Sequence, residues 1–116
     1  MLHKAAAADS ACPSPVIAGH PSNPPVAWGP DGEIFGAAPE MVANIARTLG
    51  VKKGTSGNFG SWEKAQAAAK SGKADIIFGI YKNDERMKWQ DYVEPAFMTD
   101  PVSVVVRQGA RFAYAT

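Results

Sequence analysis

The richest chemistry in the chain lies in Gly79-Ile80-Tyr81-Lys82-Asn83-Asp84-Glu85-Arg86, directly after the apolar run Ala74 to Phe78. A short apolar run bounded by glycine reads as a buried parallel strand. Gly79 to Asn83 is then the loop at the strand's carboxyl end, where open α/β sheets bind ligands. Asn83 suits the cap of a single helical turn carrying Arg86. A guanidinium there, beside backbone N–H groups at a helix start, suits a carboxylate held bidentately. The competing reading pairs Arg86 with Asp84, Glu85 or Asp91 on the surface. Two rings border the same predicted sheet edge: Trp28 in a Pro-rich loop and Trp62 at a helix start. Amphipathic rings beside a cleft grip the apolar part of a small ligand. The alternative for both is ordinary packing beneath a loop.

Other chemistry is sparse. The chain has no Gly-rich phosphate loop, no GxSxG elbow and no paired-histidine zinc motif. Cys12 is the single cysteine, so no disulfide forms within the chain; it reads as a free or intermolecularly paired thiol. Ser10-Ala11-Cys12 fails as a lipoprotein box because Asp9 stands where an apolar residue belongs. Cys12, His3 and His20 make no ligand cluster, and neither metal nor cofactor is expected. Cys12 and His20, eight apart in sequence, define no thiol–imidazole pair.

The elements that must position Arg86 are set by pattern. Pro15 to Gly19 reads as a buried first strand, and the Pro-, Ser-, Asn- and Gly-rich stretch His20 to Pro30 as a loop. Pro30-Asp31-Gly32 is a turn signal. Ala38 to Leu49 is predicted helical: Pro39 suits the first position, Glu40 the positive dipole end, and Gly50 the stop. Met41, Val42, Ile45, Ala46 and Leu49 form one apolar stripe. Val51 to Phe59 is weakly extended. Ser61 caps a second helix from Trp62 to about Ser71, closed by Gly72. Val102 to Val106 reads as the last strand. Alternating strands and helices give an α/β class with a mostly parallel sheet flanked by helices.

Composition narrows the function classes. The chain has 116 residues, 46% hydrophobic and 20% charged, with a net charge of +1. That length holds one domain. Near-neutral charge provides no broad basic field, which argues against nucleic acid as a partner. No run approaches the roughly 18 apolar residues of a membrane helix. Residues 1–14 read as a tail or signal remnant, since Ala5 to Ala8 has the small-residue character of a signal end without the apolar region before it.

Taken in order, these segments resemble family 3 of the bacterial extracellular solute-binding proteins, receptors for polar amino-acid ABC transporters with the type II periplasmic binding fold. The resemblance runs from about Pro15 to Gly109. It rests on Val16-Ile17-Ala18-Gly19, Asn23-Pro24-Pro25, Asp31-Gly32 and the Glu40-to-Gly50 helix ending Ala46-Arg47-Thr48-Leu49-Gly50. It continues through Trp62, Ser71-Gly72-Lys73-Ala74-Asp75, Glu85-Arg86, Asp91-Tyr92, Glu94-Pro95 and Val104-Val105-Val106-Arg107.

Members of that family are two-lobed and close on a ligand between the lobes. The resemblance implies that residues 15–109 are the first lobe and 110–116 begin the crossover to a second. It implies that Arg86 grips a ligand carboxylate, assisted by Gly79, Tyr81 and Asn83. It further implies that Trp62 stacks on the ligand and that His20 touches its side chain. Tyr81 and Asn83 stand where the family usually has threonines, which leaves Tyr81 free to act as a second ring. Asn23 replaces the usual aromatic before Pro-Pro, so Trp28 must supply that wall or it is lost. The stretch from Asp75 to Arg86 is one residue shorter than usual. The implied role is a periplasmic, non-enzymatic receptor for an amino acid or similar small carboxylate, working with an ABC transporter permease. A lone lobe exposes the face its second lobe covers, so a homodimer is also expected. Two alternatives stand beside it: a cyclohexadienyl dehydratase-like enzyme using His20 or Glu85 as acid or base, and the sensor lobe of a membrane receptor.

Overall fold

In the computed structural model, which describes residues 14–30, 32–52 and 54–113, β1 (Val16–Ala18) is the middle strand of a three-stranded parallel sheet. β4 (Thr55–Gly57) and β5 (Ile76–Ile77) flank it. Ile17 lies opposite Ser56 and Ile76; Ala18 lies opposite Gly57 and Ile77. The two-residue period of a strand sorts the side chains onto two faces. Ile17 and Phe78 join one core; Val16, Ala18 and Ile77 join the other.

The second core is built from alanine. Ala18, Ala65, Ala68 and Ala74 are buried together, edged by Val16, Phe59, Trp62 and Ile77. These small side chains let α2 (Trp62–Lys70) lie close on the sheet. Ser61 caps α2 as expected, its Oγ accepting from the Lys64 N–H at 3.2 Å. Beyond Gly72, the Ala74 N–H returns to the Ala68 carbonyl at 3.0 Å and delivers the chain to β5. Asp75 then bonds the start of β1 twice. Its N–H donates to the Val16 carbonyl and its carboxylate accepts from the Val16 N–H, both at 2.8 Å.

On the other face, Ile17 and Phe78 pack with Val26, Ala27, Ile34 and Ala38, with Val42 against them. Val26 and Ala27 belong to a segment expected to be loop. Instead, β2 (Ser22–Asn23) and β3 (Ala27–Trp28) form a small antiparallel hairpin around Pro24 and Pro25, extended by a Trp28–Phe35 bridge. Strands of two residues leave no alternating pattern in sequence, which is why the turn-forming composition hid them.

That hairpin also starts α1 (Ala37–Thr48). The Ala37 and Ala38 N–H groups, which have no partner within a helix, donate to the Pro25 and Val26 carbonyls at 3.1 and 3.0 Å. Gly36 makes the approach possible: its φ is +124°, and a Cβ would lie 2.6 Å from the Val26 oxygen. Pro39 therefore sits in the third helical position rather than the first. Its missing N–H is still one that the helix ladder does not use. Gly50 ends α1 in a Schellman turn, with Val51 N–H to the Ala46 carbonyl at 2.9 Å and Gly50 N–H to that of Arg47 at 3.2 Å.

The apolar stripe of α1 is partly open to solvent, Ile45 being 50% and Leu49 70% exposed. With Ile17, Phe35, Val51 and Ile76 they line an open groove of about 800 Å³. Three short strands are too narrow to cover the stripe. Val102 to Val106 forms no strand: no ladder partner lies beside it among the described residues, and Val102 and Val105 are 92% and 91% exposed. Its β-branched composition favours extended backbone, but a strand also needs a neighbour to take up its hydrogen bonds. No helix among the described residues is long and apolar enough to cross a membrane. Residues 1–13 of the tail, His3 and Cys12 among them, Asp31 of the expected turn and residues 114–116 lie outside the described residues.

Candidate functional site

All three parallel strands point their carboxyl ends to one edge. β1 delivers Gly19 and His20, β4 delivers Asn58 through Trp62, and β5 delivers Phe78 through Asn83. Two glycines permit the convergence. A Cβ on Gly19 would lie 2.1 Å from the Phe78 ring, so only glycine lets Phe78 cover the end of β1. Gly79 has φ +66° and packs so closely that a Cβ would stand 3.0 Å from Val26 Cγ1.

Trp62 is the centre of the cluster. It opens α2, half-buried against the alanine core. The His20 ring lies against it, centroids 5.2 Å apart and planes inclined by 31°. The Arg86 guanidinium lies over the same indole, 6.0 Å from its centroid, within cation–π range.

Arg86 is carried by α3 (Asp84–Met87), whose cap is Asn83 as expected. Asn83 Oδ1 accepts from the Arg86 N–H at 2.9 Å, so that backbone donor is already engaged. The guanidinium makes no ion pair among the described residues. Glu85 pairs instead with Lys88 at 2.7 Å, and Lys82 with Glu94 at 2.6 Å. Arg86 Nη1 donates to the Tyr81 carbonyl at 3.0 Å. The surface-pair reading of Arg86 is therefore not what the structure shows. One N–H is anchored to the loop, and no carboxylate of the described residues occupies the rest.

Tyr81 holds this arrangement by its backbone. Its carbonyl also accepts from the Tyr92 hydroxyl at 2.6 Å. The Tyr81 hydroxyl donates to Asp100. That bond, slight desolvation and the Asp100 charge raise the Tyr81 hydroxyl above its ordinary pKa of 10.0.

The structure thus brings His20, Trp62, Arg86, Asn83 and the Tyr81 carbonyl together beside Gly79. It does not bring Asn23 or Trp28 to them. Asn23 pairs with Ala27 in the hairpin, exposed. Trp28 exchanges backbone bonds with Phe35 at 2.9 and 2.6 Å, its side chain 40% exposed. The groove along α1 includes none of the clustered residues.

Three contributors had no role on sequence grounds. Tyr92 anchors the Tyr81 carbonyl. Ser22 donates its N–H to His20 Nδ1 at 2.9 Å. Asn58 ties two loops: its Nδ2 donates to the Gly29 and Pro30 carbonyls at 3.0 and 3.1 Å, while its Oδ1 accepts from the Gly60 N–H at 2.7 Å. The Asn-Phe-Gly spacing of Asn58 is an Asx-turn signal that points to it in sequence. Nothing local marks Tyr92 or the Ser22 N–H.

Among the described residues, no group of three His, Cys, Asp or Glu side chains gathers as a metal site. The cluster gathers a guanidinium, an indole and an imidazole.

Searches of curated proteins and of solved structures gave no match. The sequence profile of the bacterial extracellular solute-binding proteins, family 3, matches residues 16–114. That span carries the parallel sheet, both long helices and every residue of the cluster, and the chain belongs to family 3 of the bacterial extracellular solute-binding proteins.

Proposed function

We propose that the chain is the ligand-gripping lobe of a periplasmic receptor that captures an amino acid or similar small carboxylate for an ABC transporter permease. The observation that carries this reading is Arg86, a half-buried guanidinium laid on Trp62 with no carboxylate of its own among the described residues. Planar guanidinium donors match a carboxylate's two oxygens, and a partly desolvated setting strengthens the pair. Trp62 offers a face for the ligand's apolar portion. Family membership makes the chain a solute-binding protein, and an extracellular family implies a secreted or periplasmic one.

Such a receptor performs no chemistry; in the two-lobed arrangement, ligand contacts with both lobes favour the closed state and report occupancy. The acid–base alternative lacks support from Glu85, which faces Lys88 rather than the cluster. Calorimetry with a panel of amino acids, small carboxylates and the corresponding amides tests the reading. Carboxylates are expected to bind and amides not. Equal binding of both, or binding of neither, would remove the case for a carboxylate receptor.

A further inference from the structure

Past Asp100 the chain leaves the body as an arm. Every residue from 93 to 113 is exposed, although the stretch carries Val93, Phe97, Val102, Val104 and Val105. The root of the arm is fixed, because Lys82 pairs with Glu94 and the Tyr81 hydroxyl donates to Asp100. From Pro101 onward no hydrogen bond to the body follows among the described residues. The extended part ends at a turn, where the Ala110 N–H donates to the Arg107 carbonyl at 2.9 Å. Residues 101–113 are apolar first and basic after: Val102, Val104, Val105 and Val106 precede Arg107 and Arg111, their only charged side chains.

The groove along α1 has the matching order. Ile45, Leu49, Val51 and Ile76 form its apolar end. Glu33 and Glu40, its only charged lining residues, lie where the helix starts. Neither carboxylate makes an ion pair among the described residues, and neither does Arg107 or Arg111. Leu49 and Glu40 are nine residues apart, about 14 Å along a helix. Arg107 stands five residues beyond Val102 and three beyond Val104, about 10–17 Å along an extended chain. The two patterns are therefore in register.

Polarity decides whose arm fits. β1 and β4 are parallel, so α1, which joins them, runs against them. The acidic end of the groove thus lies toward the carboxyl edge of the sheet, where Tyr81 roots the arm. Only Pro101 separates Asp100 from Val102, so a chain's own valines start beside the acidic end. A second copy turned end for end brings its arm in at the Leu49 end, valines first and arginines last.

We propose that two copies of this chain exchange arms, Val102–Val106 of each lying in the α1 groove of the other, with Arg107 and Arg111 meeting Glu33 and Glu40. The exchange is two-fold and closed, so it stops at a dimer. It removes from water two apolar surfaces that each copy alone leaves exposed. It does not depend on what Arg86 binds.

Sedimentation velocity of the full chain, from micromolar to submillimolar concentration, is expected to show a monomer–dimer equilibrium. Val104→Asp in the arm and Leu49→Gln in the groove change exposed side chains, so circular dichroism should stay as in wild type. Each should weaken the dimer about tenfold or more, as loss of a central apolar contact does. The arrangement itself is read by charge reversal. Glu33→Lys with Glu40→Lys, and separately Arg107→Glu with Arg111→Glu, should each dimerise about tenfold more weakly alone. Mixed in equal amounts they should dimerise again, since both arm–groove contacts of the mixed pair join opposite charges. A monomer at every concentration, or a dimer unmoved by Val104→Asp or Leu49→Gln, would overturn the proposal. So would reversed variants that dimerise alone as wild type does, or that fail to recover on mixing.

Discussion

Arg86 lies over the Trp62 indole, 6.0 Å from its centroid, while its Nη1 donates to the carbonyl of Tyr81 at 3.0 Å. The two contacts divide the work. The Tyr81 carbonyl, itself held by the Tyr92 hydroxyl at 2.6 Å, fixes where the guanidinium stands. The indole lies within cation–π range of it. A flexible side chain is thereby pre-ordered, which lowers the entropy lost when a ligand arrives.

Trp62 is accordingly expected to matter for binding out of proportion to its effect on folding. Trp62→Phe keeps an aromatic surface for Arg86 and His20 and the contact with the alanine core. It should reduce carboxylate affinity only about twofold to threefold, since cation–π strength falls modestly from Trp to Phe. Trp62→Ala removes the surface and should weaken binding about tenfold or more. Calorimetry on the two variants, each checked for folding by circular dichroism, gives the comparison. Equal losses in both would show that the ring is not the platform.

The Tyr81–Asp100 bond predicts a pH signature. The raised native value means that this hydroxyl holds its proton more tightly folded than unfolded. Its stabilising contribution is therefore fully present below the ordinary tyrosine value of 10.0 and disappears as pH rises through the raised native value. In ultraviolet difference titration, a phenol that ionises later than an ordinary tyrosine should vanish in Tyr81→Phe. Asp100→Asn should bring that phase earlier. A titration identical in wild type and Tyr81→Phe would contradict the bond.

The alanine layer predicts intolerance to larger side chains. Ala65 is fully buried between α2 and the sheet, against Ala18 and Ala74. Ala65→Leu adds apolar surface but has no room for it, and should destabilise by about 1–3 kcal/mol. Ala67→Leu, on the exposed face of the same helix, should stay within about 0.5 kcal/mol of wild type. Urea denaturation of the pair separates packing from helix propensity, which is nearly the same for both. Equal stability would show that the helix does not lie close on the sheet.

Much of this is legible in sequence where local rules act alone. Ser61, Asn83 and Gly50 are caps because a hydroxyl, an amide and a missing Cβ meet helix ends in the same way everywhere. The strand–loop–Arg86 order is enough to place the guanidinium at the sheet's carboxyl edge. The features hidden in sequence depend on partners far along the chain. The β2–β3 hairpin is held by backbone pairs and by the start of α1, neither of which leaves a side-chain pattern. Val102 to Val106 has strand composition without a partner, and composition alone does not make a strand. Trp28 and Trp62 look alike as rings near one edge, yet only Trp62 meets Arg86, because Trp28 bridges to Phe35.

Arg86 is expected to meet a ligand carboxylate on the face of Trp62. The most direct measurement tracks the Arg86 Nε–H and Trp62 indole N–H resonances while L-alanine or L-alaninamide is added; the two differ at the carboxyl group. L-alanine should shift both resonances together and saturably, L-alaninamide should leave them in place, and Arg86→Ala should abolish the L-alanine response at Trp62. Matching shifts with both compounds, or an undiminished Trp62 response in Arg86→Ala, would contradict the account.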